Sequence, residues 1–399
     1  MNSVTLMMMQ ESKLPSLILL DQGVHAGFID DDIRAIGLLP LRLASEEIPE
    51  KLAWLRSRNI RGIYCLSEAS KFRERELAVA LDLPPLPEAV LETGRNKRLL
   101  HERLVEADFR YYSISASSSL PEPPLAFPFI VKPSSGYASA GVRLVKNRAE
   151  YLKAVSKIKL MNRMLFDRYA NEVSGVLCEE YLDGPEVSID AIVVNGNVRV
   201  FGVCTREYAG EDNFQDYAYF MNVQNLERYS AELQPIITKA LDVLGYVSGP
   251  VHVELRKSGR TGRWHILDLA FRVGGMGYIG ELIRGVTGVE YNRLAIRAWL
   301  GDLSEPELRG IRASRNNYGL VFVPAAGKGG IVKSYLGREY LQSEKAVKYF
   351  CFPKAEGERY VVYPDGTEYL AVIIGIAETE PEVMRLYNEL SKKVGVIYA

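Results

Sequence analysis

The rhythm of apolar and polar positions changes several times along the chain, and each change marks an element. "SLILLDQG" (16–23) is an unbroken apolar run ending at Asp21, the pattern of a buried strand. "IRGIYCLSE" (60–68) repeats it and runs into the helical "KFRERELAVALDL". Strands alternating with helices predict a parallel sheet, so residues 1–93 read as a small α/β domain. "NKRLLHERLVEAD" then spaces its leucines as an amphipathic helix does. The proline- and serine-rich stretch 113–128 predicts a linker or exposed loop. Beyond it, "FIVK" (129–132) and "GVRLVK" (141–146) read as strands flanking the small-residue loop "PSSGYASA". "VSIDAIVVNGNVRVFGV" reads as a hairpin, because both positions of its Asn195-Gly196 turn favour positive φ. Residues 224–245 turn helical, and "GPVHVELRK" and "WHILDLAFRV" return to strand. Short strands and a final helix, "EPEVMRLYNELSKKV", close the chain.

Alternation also assigns faces. In "HVEL", His252 and Glu254 share one side. In "HILDLAFR", Asp268, Ala270 and Arg272 share another. Pairing the two strands as a hairpin would gather Glu254, Asp268 and Arg272 on one surface with apolar residues behind. Unpaired charge on such an element is costly, so the cluster needs a reason. One reason is an arginine–carboxylate salt bridge on an exposed sheet face. The other is a magnesium site, in which hard oxygen ligands hold the ion and phosphates complete its shell.

Composition narrows the field without choosing. The 399 residues allow two to four domains, and 47% hydrophobic against 25% charged residues is ordinary for a folded soluble protein. Lys plus Arg is 49 and Asp plus Glu 50, so nothing draws the whole chain to nucleic acid or an anionic membrane. Any phosphate-binding charge must be local. Four scattered cysteines with no C-x-x-C pair, no apolar run long enough to span a bilayer and no basic leader predict a cytoplasmic globular protein.

"GGMGYIGELIRG" (274–285) contains G-x-G-x-x-G at Gly275, Gly277 and Gly280. A dinucleotide site also needs a returning parallel strand that ends in an acidic residue about 20 positions later. Here the chain continues into helix, and Thr287 and Glu290 have the spacing of a capping box for it. An NAD-type oxidoreductase is therefore the weaker reading of these glycines.

Four segments in order resemble the ATP-grasp carboxylate–amine ligases: Lys97 heading "NKRLLHERL"; "FIVKPSSGYASAGVRLV"; "CEEYLDGPEVSIDAIV"; and the pair "HVEL" with "HILDLAFRVGGMG". The closing segment, from "YGLVFVPAAGKGG" onward, is similar to the C-terminal domain of bacterial L-amino-acid ligases, the dipeptide-forming branch of the bacilysin-synthetase type. The resemblance implies a mixed α/β fold. Its parts are an N-terminal Rossmann-like α/β domain (1–93), an ATP-grasp lid subdomain (94–182), a metal and substrate domain (183–312) and a C-terminal α+β domain (313–399). It also implies ATP and Mg2+ as cofactors, with Mn2+ as a substitute ion, and small-molecule carboxylate and amine substrates, in the first instance amino acids. A homodimer is the assembly it suggests.

The same resemblance implies residue roles. Lys97 and Lys132 would neutralise ATP phosphates, and the loop Ser134, Ser135, Gly136, Ala138 and Ser139 would close over them. Glu179, Glu180 and Leu182 would meet adenine, and Glu186 the ribose. Glu254 and Asp268 would hold metal, and Arg272 would face the acyl phosphate as a catalytic residue beside Lys132 and Gly275. Arg272, Gly274 and Gly275 would contact substrate. His252, on the face of Glu254, could contact substrate or a phosphate oxygen, or be a hydrogen-bonded strand histidine. One position departs from the pattern. Ala270 stands where the family carries an Asn for a second magnesium, and Asp268 replaces the more usual Glu. A water-filled vacancy, a weakened metal or a nucleotide-binding module without catalysis would each follow from it.

Two further segments carry candidate chemistry. "TREYAGEDNFQDYAYFMN" (205–222) could be an ordinary packed loop or a substrate loop, with Arg206 gripping a carboxylate and Glu207 or Asp212 receiving an amine. "GKGG" at 327–330 fails as a Walker loop, because Phe322 and Gly329 occupy positions that need Gly and Ser or Thr. His25, His101 and His265 lack metal-ligand spacing and read as structural or exposed.

Overall fold

The computed structural model describes residues 14–20, 27–44, 47–105, 109–116, 118, 122–166, 175–210, 213–325, 328–366 and 368–399. The positions of Asp21, His25, Asp212 and Gly327 lie outside them.

The N-terminal unit is a parallel sheet of β1 (Ser16–Leu20), β2 (Leu39–Leu43) and β3 (Ile60–Tyr64) in the order β2-β1-β3. Around it run α1 (Gly27–Ala35), α2 (Ile48–Arg56) and α3 (Lys71–Ala80). Every residue of β1 is buried, as an unbroken apolar run requires. Strand β2, "LPLRL", was not anticipated, because Pro40 and Arg42 interrupt its apolar pattern. Helices α4 (Glu88–Arg95) and α5 (Lys97–Leu104) follow, the second capped by the Asn96 side chain on the amides of Arg98 and Leu99.

The lid is an antiparallel sheet of β4 (Tyr111–Ile114), β5 (Phe129–Pro133), β6 (Arg143–Val145) and β7 (Val176–Glu180), ordered β4-β7-β5-β6. Helix α6 (Arg148–Met161) packs Tyr151, Val155 and Ile158 against Phe129, Val131 and Val176. The stretch read as a linker contributes β4 at its start.

The largest sheet has eight strands. Its members are β8 (Glu186–Val194), β9 (Asn197–Gly210), β10 (Asn213–Met221), β11 (Gly249–Lys257), β12 (Trp264–Ala270), β13 (Tyr318–Phe322), β15 (Val347–Cys351) and β17 (Val372–Ala377). They run β12-β11-β8-β9-β10-β13-β17-β15, so the sheet continues across the boundary expected at 312–313. Strands β14 (Gly330–Leu336), β16 (Arg359–Tyr360) and β18 (Gly395–Tyr398) form a small separate sheet. The predicted hairpin is present, with Asn195 and Gly196 at φ 49° and 78°. Of the stretch 205–222, Thr205–Gly210 belong to β9 and Asn213–Met221 to β10, so its described residues are mostly a strand pair.

Alternation along this sheet places the chemistry. On β8, Val187, Ile189, Ala191 and Val193 join Val251, Val253 and Leu255 of β11 in one core. That core packs on Leu233, Ile237, Leu241 and Leu244 of α7 (Val223–Leu244). Burying each such side chain contributes roughly 1.5–3 kcal/mol, which fixes which way the strands face. The intervening residues, Glu186, Ser188 and Asp190 on β8 and His252, Glu254 and Arg256 on β11, therefore share the opposite face.

The glycine-rich segment is a short 3-10 turn (Gly274–Gly277) leading into α8 (Tyr278–Thr287) and then α9 (Tyr291–Trp299). Among the described residues no parallel strand returns after it, so the glycines do not form a dinucleotide-binding turn. The expected Thr287–Glu290 capping box is absent. Gly288, at φ 76°, ends α8, and the Thr287 hydroxyl donates back to the Ile283 carbonyl. Glu290 precedes α9 without capping it through its side chain.

Candidate active site

Three rows of cross-strand neighbours build the site. Asp190, His252 and Ala270 stand in one row, Ser188, Glu254 and Asp268 in the next, and Glu186 faces Arg256 in the third. Glu254 and Asp268 are direct partners across the β11–β12 pair, as the hairpin reading expected.

Two adjoining cavities meet at that carboxylate pair. The first, about 770 Å³, is lined by Lys97, Lys132, the loop residues Gly136, Ala138 and Ser139, and Glu179, Glu180, Leu182 and Glu186. Ile130, Val142, Phe214 and Leu267 give it an apolar end. The second, about 630 Å³, is lined by Ser135, His252, Ala270 and Arg272, and by Glu68 and Arg95 from the N-terminal segment. Glu254, Asp268, Gly136 and Ala138 belong to both.

The lysines are held by acidic partners. Lys97 Nζ lies 2.9 Å from Asp268 Oδ2 and donates to the Gly136 carbonyl at 2.9 Å. Burial pulls its pKa down, but the charge and hydrogen bond of Asp268 together with the Glu254 and Glu179 charges outweigh it and leave it raised. Lys132 Nζ lies 2.6 Å from Glu179 Oε1, which also meets His101 Nε2 at 2.7 Å. Burial alone would raise the Glu179 pKa; Lys132 and His101 outweigh it and bring it to about 2. His101 and His265 are both buried, so neither is an exposed histidine. Glu180 pairs with Arg110 at 2.9 Å.

In the loop, Ser134 turns away from both cavities. Its hydroxyl accepts the Gly175 amide at 2.8 Å, fastening the loop to the strand behind it. Ala138 and Ser139 adopt positive φ of 54° and 53°, a conformation that small side chains tolerate best.

Arg206 does not stand open in a loop. It is buried on β9, with Nη1 3.0 Å from Glu186 and 3.3 Å from Asp216, and Nη2 2.6 Å from Glu254. A guanidinium enclosed by three carboxylates is not free to grip a substrate, so the expected clamp becomes an internal strut. Burial pushes Glu186 and Asp216 upward in pKa. At Glu254, Arg206 and His252 overcome burial and hold the carboxyl well below its ordinary value.

His252 Nδ1 contacts Asp190 Oδ2 at 2.9 Å, and its Nε2 lies 3.7 Å from Glu254. Burial lowers the His252 pKa, but Asp190 outweighs it and raises it to about 9. The other Asp190 oxygen accepts the Gly274 amide at 2.7 Å. Gly274 is thus tied to His252 through Asp190, while Gly275 is exposed beside it. Arg272 Nε lies 3.2 Å from Glu68 Oε1, and its Nη1 donates to the Val273 carbonyl.

Sequence reasoning missed Asp190, Glu68, Arg95 and Arg256. Asp190 was visible as a lone acid within the apolar "SIDAIVV". Nothing local marked Glu68 or Arg95, whose place depends on the N-terminal unit meeting β12.

The chain has the ATP-grasp fold, as comparison with known proteins shows. A family model described as an ATP-grasp domain matches residues 125–279. The L-amino acid ligase from Bacillus licheniformis superposes with a TM-score of 0.82 at 23% identity, covering 97% of this chain and 99% of that one. N5-carboxyaminoimidazole synthetase from Staphylococcus aureus, solved with ADP, gives 0.67 at 14% identity, covering 94% and 96%. The ATP-grasp enzyme fsqD of Aspergillus fumigatus is 24% identical over 263 residues, 60% of this chain. The chain spans 44% of the length of that curated relative. Among the described residues no helix is long and apolar enough to cross a membrane.

Proposed function

We propose that this protein is an ATP-dependent carboxylate–amine ligase that joins two amino acids and releases ADP and phosphate. The observation that carries the reading is the Glu254–Asp268 pair, which borders both cavities at once. Nucleotide in the larger cavity would present its terminal phosphate to Lys97, Lys132 and the loop Gly136–Ser139. The apolar end at Ile130, Val142, Leu182 and Leu267 suits a base, and Glu186 a ribose.

Two carboxylates fit magnesium, which takes one or two such ligands and completes its shell with water and phosphate oxygens. Among the described residues no third His, Cys, Asp or Glu joins them to make an all-protein cage. When bound, the ion would offset charge on the transferring phosphoryl group.

In the smaller cavity a carboxylate oxygen attacks the γ-phosphorus, the β–γ bridging bond breaks, and ADP leaves. An amine nitrogen then attacks the acyl carbon, phosphate departs, and the nitrogen loses a proton as the amide forms. Arg272 and Arg95 supply positive charge for a carboxylate and its acyl phosphate, and Glu68 supplies a partner for an ammonium group. That combination of charges suits an α-amino acid. Closure of the loop keeps water from the acyl phosphate.

Ala270 favours a second reading, a module that binds ATP without turnover, because it lies in the wall of the smaller cavity and cannot ligate. One experiment separates the two: ATP, magnesium and amino-acid pairs, with nucleotide and amide products identified. Amino-acid-dependent ADP with a dipeptide supports the ligase; ATP binding without release of phosphate supports the module; AMP overturns both.

A further inference from the structure

The lid carries one arm of the nucleotide cavity, and its contacts with the C-terminal domain converge on a single turn. Tyr363, Pro364 and Asp365 lie between β16 and β17, remote in sequence from the lid. The Pro364 carbonyl accepts the amide of Gly141 at 2.8 Å, at the end of the phosphate loop. The Tyr363 hydroxyl donates to the Val142 carbonyl at 3.0 Å. The Asp365 carboxylate bridges two lid cations, Arg143 on β6 and Lys157 on α6, the second at 3.0 Å. The Tyr363 ring is buried with Ile130 and Phe214, and Val142 packs on the same cluster. All three of those residues line the larger cavity.

We propose that the Tyr363–Asp365 turn is a latch that holds the lid over the nucleotide, making Asp365 and Tyr363 positioning residues supplied by the C-terminal domain. The proposal rests on the nucleotide reading given above. A half-exposed ion pair by itself contributes little. Here one carboxylate joins Arg143 and Lys157 while the flanking backbone and hydroxyl hydrogen bonds fix the adjoining Gly141 and Val142, and contacts within one such network couple. Releasing the turn frees the end of the phosphate loop and the apolar wall together, while the metal pair and the His252, Ala270, Arg272, Glu68 and Arg95 side of the smaller cavity lie on other elements. The latch therefore acts on how long nucleotide is retained more than on amino-acid binding.

The test uses the full chain with a fluorescent N-methylanthraniloyl ADP and magnesium. Asp365→Ala is expected to speed ADP release about tenfold, the size of coupling within one contact network. KM for ATP should rise in parallel and KM for the amino acids rise far less, while Asp365→Glu restores retention. Release unchanged in Asp365→Ala overturns the latch, as does a KM for amino acids that rises equally. Should Asp365→Ala melt early, Lys157→Ala on the outer side of the lid reads the same contact. It is expected to speed release about threefold, and unchanged release there also overturns the latch. A wild-type chain that binds no nucleotide removes the nucleotide reading and the latch together, whereas binding that the variants leave unchanged removes the latch alone.

Discussion

Glu254 and Asp268 face each other across the β11–β12 pair, yet each carboxylate leans on a different cation, Arg206 at 2.6 Å and Lys97 at 2.9 Å. Each acid thus has a cation of its own while the two stay neighbours. That is what a site needs if it is to receive a divalent ion together with a triphosphate.

Glu254→Gln and Asp268→Asn should each cut ADP formation by about a thousandfold, the scale lost when charge stabilisation at a transferring phosphoryl group is removed. Each keeps the size of the side chain, so the fold should survive. Steady-state phosphate release against magnesium concentration checks this. Full activity in either variant removes the metal pair from the reaction.

Ala270→Asn adds an oxygen ligand in the row beside Asp268. Turnover in the wild type should depend on magnesium with a single saturating phase beyond that of the nucleotide complex, and Ala270→Asn should add a second, tighter dependence. If the variant titrates like the wild type, this position does not set the number of ions.

Stability should fall in acid through Glu179. Its folded pKa is about 2 against an ordinary 4.5, so its contribution is complete above about pH 4.5 and is lost as pH drops toward 2. The carboxylate is buried, and the difference corresponds to roughly 3 kcal/mol. Urea unfolding at pH 5 and at pH 3 measures it. Glu179→Gln should be weaker at pH 5 and show a flatter acid limb; equal slopes in the two proteins would assign the acid sensitivity elsewhere.

How far this site was legible follows from the range of the signals. The Glu254–Asp268 pair was readable because strand period and a short connection fix which residues share a face. Asp190 was harder, since its partner His252 lies 62 positions away and only the β8–β11 register joins them. Glu68 and Arg95 belong to a cavity that exists only once the N-terminal unit meets β12. The Thr287–Glu290 spacing misled because Gly288, with its positive φ, ends a helix at the position where the pattern would have begun one. Arg206 depends on the same long-range pairing. Its segment left a packed loop and a substrate loop open, and only the pairing of β9 with β10 buries the side chain among carboxylates.

Arg206→Met therefore tests a strut against a clamp. Removing the guanidinium leaves Glu186, Asp216 and Glu254 facing one another in a buried space, at a cost of about 3–5 kcal/mol. The variant should melt well below the wild type at pH 7. A clamp would instead raise KM for an amino acid and leave the melting temperature where it was.

The Gly274→Ala variant asks how much the Asp190–His252 arrangement matters. A Cβ at Gly274 would lie 2.6 Å from His252 Nδ1 and 2.7 Å from Asp190 Oδ2, closer than real carbon contacts allow. The backbone φ here is ordinary, so crowding and not strain decides the outcome. The His252 ring and the Asp190 carboxylate must part, and the Gly274 amide loses its acceptor. Because the surrounding core stays filled, the loss of stability should be modest, about 1–3 kcal/mol. Amide formation should fall far more than ATP binding, because His252 borders the smaller cavity and not the nucleotide end of the larger one. Nucleotide affinity by fluorescence, set beside dipeptide yield, separates the two effects. A variant that forms amide at the wild-type rate would show that the reaction does not depend on how Asp190 holds His252.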